Sequence, residues 1–186
     1  MTLWLTAVLI GLFALVVVLY NRLVRDRNRV NAAWSDIDVQ LQRRHDLVPQ
    51  LVSAVSQYAA WERATLEAVT ALRDQAHRES AVAKRGELEQ QLGEGVQRLI
   101  ALAENYPDLK ANENFLSLQN ELVETENYLQ FARRFYNGSV RALNTRIESV
   151  PHNIVASAFG FQQRDFFQKA SDDVAAVPLV DLAGVE

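Results

Sequence analysis

Three histidines, His45, His77 and His152, are the first side chains to question for metal or proton chemistry, because the chain contains no cysteine. That absence removes disulfides, thiolate zinc sites, iron–sulfur clusters and cysteine nucleophiles together. Asp74 and His77 stand in D-x-x-H spacing, which puts two ligand types on one helical face. One such pair is too few for a metal, so a solvated helix face is expected there. His45-Asp46 has the composition of a catalytic dyad, yet no nucleophile accompanies it, and Asp46 reads more simply as a helix cap. No H-E-x-x-H pair and no pair of E-x-x-H motifs occurs. Gly86, Gly93 and Gly95 are not followed by the lysine and hydroxyl of a phosphate loop. We therefore expect a protein that is not an enzyme, with no catalytic residues, no cofactor, no metal and no small-molecule substrate. An enzyme would need a buried polar cluster assembled from different helices. The basic pairs Arg43-Arg44 and Arg133-Arg134 read as solvated surface or as docking points for an acidic partner.

The elements that must carry these residues begin with an apolar run. From Leu3 to Tyr20 the chain reads LWLTAVLIGLFALVVVLY without a charge, which as a helix spans about 27 Å, close to a bilayer core. Trp4 and Tyr20 near its ends suit the two interfaces. Only Met1-Thr2 precede the run, so the basic n-region of a signal peptide is missing, and no A-x-A-like cleavage site follows. Arg22, Arg25, Arg27 and Arg29 come directly after it. The positive-inside rule then places the N-terminus outside and residues 22–186 in the cytoplasm, on a single-pass inner-membrane anchor.

Beyond the anchor, glycine is absent until Gly86 and Pro49 is the only proline over that stretch. Leu23, Val30, Trp34, Ile37 and Leu41 form a helical stripe. A turn at Arg44–Asp46, with Asp46 as N-cap and Pro49 in the next helix's first turn, is preferred to a kinked helix. Leu51, Val55, Tyr58, Leu66, Val69, Leu72 and Ala76 then read as one second helix of about thirty residues. A third carries Leu88, Leu92, Val96, Leu99 and Leu102, and must stop before Pro107. The fourth has the strongest period: Phe115, Leu118, Leu122, Thr125, Leu129, Ala132, Tyr136, Ser139, Leu143 and Ile147 make a sustained heptad seam. Asn112 is its expected cap, and the sequon Asn137-Gly138-Ser139 falls inside it by chance. Trp34, Trp61 and the phenylalanines supply a core.

The expected fold is all-α: one transmembrane helix continuing into an antiparallel up-and-down four-helix bundle, with an intermolecular coiled coil also compatible. The expected organisation is residues 1–21 as anchor, 22–150 as bundle, 151–168 as an aromatic amphipathic segment near the membrane, and 169–186 as an acidic flexible tail. Four helices return the chain to the membrane near Ile147. Phe159, Phe161, Phe166 and Phe167 would then meet the interface beside Arg22 and Arg25, or cap the bundle core. A kink at Pro49 with only three helices would put them at the far end instead. At that far end the turn carrying Arg43, Arg44 and His45, and the loop carrying Tyr106, Asp108 and Lys110, are the candidate partner-binding residues.

The stretches RNRVNAAWSDIDVQLQRRHDLVPQLV, YPDLKANENFLSLQNELVETENYLQFARRFYN, RIESVP and FGFQQRDFF resemble the LemA family of bacterial membrane proteins. The likeness runs from the anchor to Phe167, is weakest over residues 76–95, and leaves out the tail from Lys169. It implies a single N-terminal span, a four-helix bundle and a bacterial source. It brings no catalytic residues. Some relatives are linked to membrane organisation and others are encoded near a membrane protease. The expected function is a membrane-anchored scaffold that self-associates through the seam as a homo-oligomer and organises the membrane or its proteins. The alternative is an adaptor presenting clients to a membrane protease or other complex. Lipid bilayer and a membrane protein are the expected partners; the acidic balance, net charge −4 and pI about 5.5, argues against nucleic acid.

Overall fold

The computed structural model describes residues 1–59 and 62–167 and, among them, is all-helical. Trp61 and the tail from residue 169, both singled out in the sequence, lie outside the described residues. The elements are α1 Thr2–Ser56, α2 Arg63–Arg78, α3 Val82–Ala103, the single turn α4 Pro107–Lys110, α5 Glu113–Glu148 and α6 His152–Ala158.

Helix α1 runs unbroken for 55 residues, about 80 Å of rod. Its apolar first third is exposed from Leu3 to Leu15. Burial starts at Leu19 and then follows the stripe Leu23, Val30, Ile37 and Leu41. The expected turn at Arg44–Asp46 is not there. Pro49 sits inside α1, and the chain reverses only after Ser56, so the expected second helix is split between the end of α1 and α2. Continuing apolar burial at Leu47, Val48, Leu51 and Val55 holds the helix together across the proline.

A second bond offsets part of proline's cost. Pro49 has no N–H for the carbonyl of His45, and that carbonyl accepts instead from Arg73 Nε of α2 at 3.2 Å. Asp46 does not cap: its carboxylate accepts from Gln42 Nε2 at 2.8 Å along the same helix. Pro49→Ala should therefore raise stability by about 1–3 kcal/mol in chemical denaturation, less than or equal to the full interior-proline penalty. A loss of stability would mean that the proline's distortion is what aims His45.

Helix α5 runs antiparallel to α1, as the cross-pairs Arg43–Glu124 and Asp26–Arg146 show. Asn112 caps it, its side chain accepting from the N–H groups of Asn114 and Phe115 at 2.9 and 3.2 Å. The seam is buried as its period predicts, at Phe115, Leu118, Leu122, Thr125, Leu129, Tyr136, Ser139 and Leu143. Its partners are within the chain: Leu129, Tyr136 and Leu143 share a cluster with Val30, Ala33, Ile37 and Leu41 of α1. The seam is thus spent on α1 and is not free for an intermolecular coiled coil.

Helices α2 and α3 form a hairpin against the distal half of α1. They approach closely at Gly95, where a Cβ would stand 2.9 Å from Val69 Cγ2. Leu66, Val69, Leu92, Val96 and Leu99 join Leu47, Leu51 and Val55 in the distal core. Two of the three apolar clusters along α1 are therefore separated by a polar level at Arg44 and His45. The third, Leu19 and Leu23 with Val155 and Ala156, lies at the foot of α1. Ile147 packs there too, so α5 does return to the anchor even though Pro49 makes no turn. α1 ends at Ser56 and α2 begins at Arg63.

After α6 the chain turns at Gly160, whose φ of +68° lies in the left-handed region that suits glycine. Residues 161–167 then run back along α5 as an extended strap. Asn144 and Asn137, two helical turns apart, each clamp it with both amide groups. Asn144 bonds the carbonyl and N–H of Arg164 at 2.9 Å each, and Asn137 those of Phe167 at 3.1 and 2.9 Å.

Candidate functional site

The polar level between the distal and middle cores is built from four helices. Arg44 and His45 of α1 and Glu89 of α3 are almost fully enclosed, at 3%, 0% and 0% exposure. Arg44 Nη1 donates to the Glu89 carbonyl at 3.0 Å and to its carboxylate at 3.3 Å. Its Nη2 pairs with Glu126 of α5. The second Glu89 oxygen meets His45 Nε2 at 2.7 Å. The other ring nitrogen of His45 faces Nδ1 of His77, on α2, at 3.4 Å. Burial lowers the Arg44 pKa to about 10 against the attraction of Glu89, with Arg133 adding repulsion, so the guanidinium is still a cation at neutral pH.

Arg133 of α5 closes the level on the strap side. Burial lowers its pKa and Glu89 opposes that. Its Nε and Nη2 are buried without a hydrogen-bond partner, and its guanidinium lies 5.3 Å from the ring centre of Phe167, a cation–π contact. Phe167 is fully buried and also meets Trp34 at 5.8 Å. Tyr136, 5.5 Å from Trp34, donates its hydroxyl to the Asp165 carbonyl at 2.9 Å.

A second constellation sits at the foot of α1. Tyr20 stacks on Phe159 and Phe161 at 4.9 and 5.7 Å, and Arg27 lies 5.2 Å over Phe161. Facing outward beside them are Val150, Ile154 and Phe159, which are 77%, 67% and 56% exposed. The cluster under α6 reaches Val16, Leu19 and Tyr20, the last turn of the apolar run. Asp26 and Arg146 pair just above. His152, beside them, has its pKa lowered by burial and by Arg146 and Arg22, with Asp26 opposing.

The sequence-predicted residues divide accordingly. Trp4 is exposed on the apolar run, Arg22 and Arg25 are exposed just above it, and Tyr20 joins Phe159 and Phe161 in one cluster. Phe166 is exposed on the strap, whereas Phe167 is a core residue that cannot meet lipid. Arg43 is half-exposed and pairs with Glu124 and Glu121 of α5. Arg44 and His45 are corrected: they lie inside the packed helices, not on a distal turn open to a partner. Tyr106 packs against the distal core, while Asp108 and Lys110 of α4 are exposed. These last share the tip with the actual reversal, since Gln57 and Tyr58 line one groove with Leu109 and Asn112.

Sequence reasoning missed Glu89, Arg73, Glu126 and the clamps Asn137 and Asn144. Glu89 was visible as a carboxylate in register with the apolar stripe, three residues before Leu92. The polar level also supplies the convergence of histidine and carboxylates that an enzyme would require, but it is sealed around Glu89 and His45. Among the described residues no group of three or more histidine, aspartate or glutamate side chains could hold a metal ion.

Comparison with known proteins places these features in context. The family model described as LemA family matches residues 33–182, running past Lys169 into the tail that the sequence likeness had left out. Protein LemA of Metamycoplasma hominis is 28% identical over 179 residues, covering 93% of this chain and 78% of that protein. Magnetosome protein MamQ 2 of Paramagnetospirillum magneticum is 23% identical over 186 residues, covering 86% of this chain and 68% of that protein. Magnetosome protein MamQ of Magnetospirillum gryphiswaldense is 24% identical over 176 residues, with 81% and 65% covered.

Proposed function

Because the chain belongs to the LemA family and is a membrane-associated helical protein, we propose that it is a non-enzymatic anchored scaffold that self-associates and organises the membrane or its proteins. Helix α1 carries the reading. One continuous helix is exposed and apolar over its first third and packed over the rest, so the anchor and the packed domain move as a single rod. In this reading α1, α2, α3 and α5 form an up-and-down four-helix bundle on the cytoplasmic side of a bacterial inner membrane, with Arg22, Arg25, Arg27 and Arg29 holding the orientation.

The foot of the rod supports a lipid contact. Val150, Ile154 and Phe159 point outward at the depth of the last apolar turn, with Arg22 and Arg25 nearby for headgroups. Self-association draws on a different surface from the spent seam. The outer face of α5 keeps Val123, Tyr128, Phe131 and Phe135 exposed at 46–64%, and shared anchoring raises the local concentration of such faces.

Native mass spectrometry in nanodiscs is the direct test. The parent chain should give oligomers and Phe131→Glu should shift them towards monomer, with unchanged helicity. A strictly monomeric parent at cellular membrane density would overturn the scaffold reading. Deleting residues 1–21 should move the protein from the membrane pellet to the supernatant, and retention in the pellet would refute the single anchor. The second reading, an adaptor for a membrane protease or other complex, draws on the exposed Asp108 and Lys110 at the distal tip. Pull-downs with those two residues reversed in charge distinguish it.

A further inference from the structure

We propose that His45 and His77 form a binding site for a borderline transition-metal cation of the zinc, copper or nickel class, tying α1 to α2. The two Nδ1 atoms face each other from different helices at 3.4 Å. Two nitrogens bound tetrahedrally at about 2.0–2.1 Å from zinc are themselves about 3.3–3.4 Å apart. The rings stand edge to face, with centroids 5.5 Å apart and planes at 72°.

The surroundings give His45 the character of a metal ligand. Its Nε2 donates to the Glu89 carboxylate at 2.7 Å, and a carboxylate on one ring nitrogen fixes the tautomer and leaves the lone pair on the other. Its backbone is held as well, because Arg73 donates to the His45 carbonyl freed by Pro49. His77 is exposed, so water can approach the pair from its side and complete the coordination shell. Without metal, the His77 Nδ1–H donates to His45 Nδ1. On metal binding that proton moves to Nε2 of His77, so both imidazoles coordinate as neutral ligands. Charge does not bar a cation: Arg44, Arg73 and Arg133 are matched by Glu89, Glu126 and Asp74.

With two protein ligands and water completing the shell, affinity should be micromolar, and imidazole favours copper, nickel and zinc over magnesium or calcium. The test is titration of the full chain in detergent with zinc by calorimetry and with copper(II) by electron paramagnetic resonance. One equivalent should bind, the copper spectrum should carry two-nitrogen hyperfine structure, and Tm should rise with zinc concentration. His77→Ala, which takes away one of the two ligands, should remove the site, while His152→Ala should leave it unchanged. Glu89→Gln should weaken binding about 10–100-fold as an outer-shell partner. No binding to the parent chain at submillimolar zinc, or equal binding to His77→Ala, would overturn the proposal.

Discussion

Glu89→Ala is expected to lower the stability of the folded chain by about 3–5 kcal/mol, the range for breaking a buried charge pair from one side. The cause is the cation left behind. Arg44 is 3% exposed and keeps its charge at neutral pH, since burial lowers its pKa only to about 10. Without the Glu89 carboxylate it keeps the backbone carbonyl of residue 89 and one carboxylate, Glu126, whose side chain is 30% exposed. His45 loses its Nε2 partner in the same step, and a buried donor without an acceptor adds about 1–3 kcal/mol that overlaps with the first figure. Urea denaturation in detergent reads the loss. Glu89→Gln keeps the shape and one of the two acceptor oxygens and should lose less. Equal losses for the two would place the cost in the lost charge and its second acceptor, because Gln keeps the shape. Replacing Arg44, His45 and Glu89 together by apolar residues of similar volume should be far milder than Glu89→Ala, because buried ion networks rarely exceed a well-packed apolar equivalent in stability. The level then matters for register. It gives the α2–α3 hairpin one polar position at which it can seat on α1.

What could be read in the sequence follows from this contrast. Helix α5 was legible almost residue by residue, because its buried side chains are apolar or small at steps of three and four. The anchor was legible for the same reason of composition. Pro49 misled because its intrinsic cost argues for a turn, and only the fold supplies the two compensations: Arg73 on the freed carbonyl and the apolar run from Leu47 to Val55. The polar level was hidden because Arg44, His45 and Glu89 read as surface types. Their burial depends on partners 45 and 44 residues apart in the chain, and a local period cannot report such pairing. The aromatic segment was half legible. Phe159 and Phe161 do stand at the foot of α1, but Gly160 turns the chain and sends Phe167 to the core beside Trp34, a direction that composition does not carry.

The strap gives the second large effect. Phe167→Ala should cost about 3–5 kcal/mol if the strap stays in place over the cavity left behind. The site has an easier response, however, because residues 161–167 are held mainly by the Asn137 and Asn144 clamps and the Tyr136 hydroxyl. Once Phe167 no longer anchors the end, the strap can lift, exposing Trp34 and the Arg133 guanidinium, whose Nε and Nη2 have no hydrogen-bond partner. The measured loss should then fall below the full cavity figure, and hydrogen exchange at the Arg164 and Phe167 amides should accelerate to the rate of an open segment. Asn137→Ala removes both bonds to Phe167 and should open the same segment. A double-mutant cycle decides whether the two act on one event. If the strap leaves as a unit, the second change adds little after the first, and the interaction energy should be about 0.5–3 kcal/mol. Additive losses with unchanged exchange at Arg164 would show instead that Phe167 and Asn137 stabilise the core separately. In the unit case the strap is a latch whose release uncovers the Arg133 side of the polar level. The clamps on α5 then govern access to it from the middle of the rod, well away from the foot at Leu19 and Leu23.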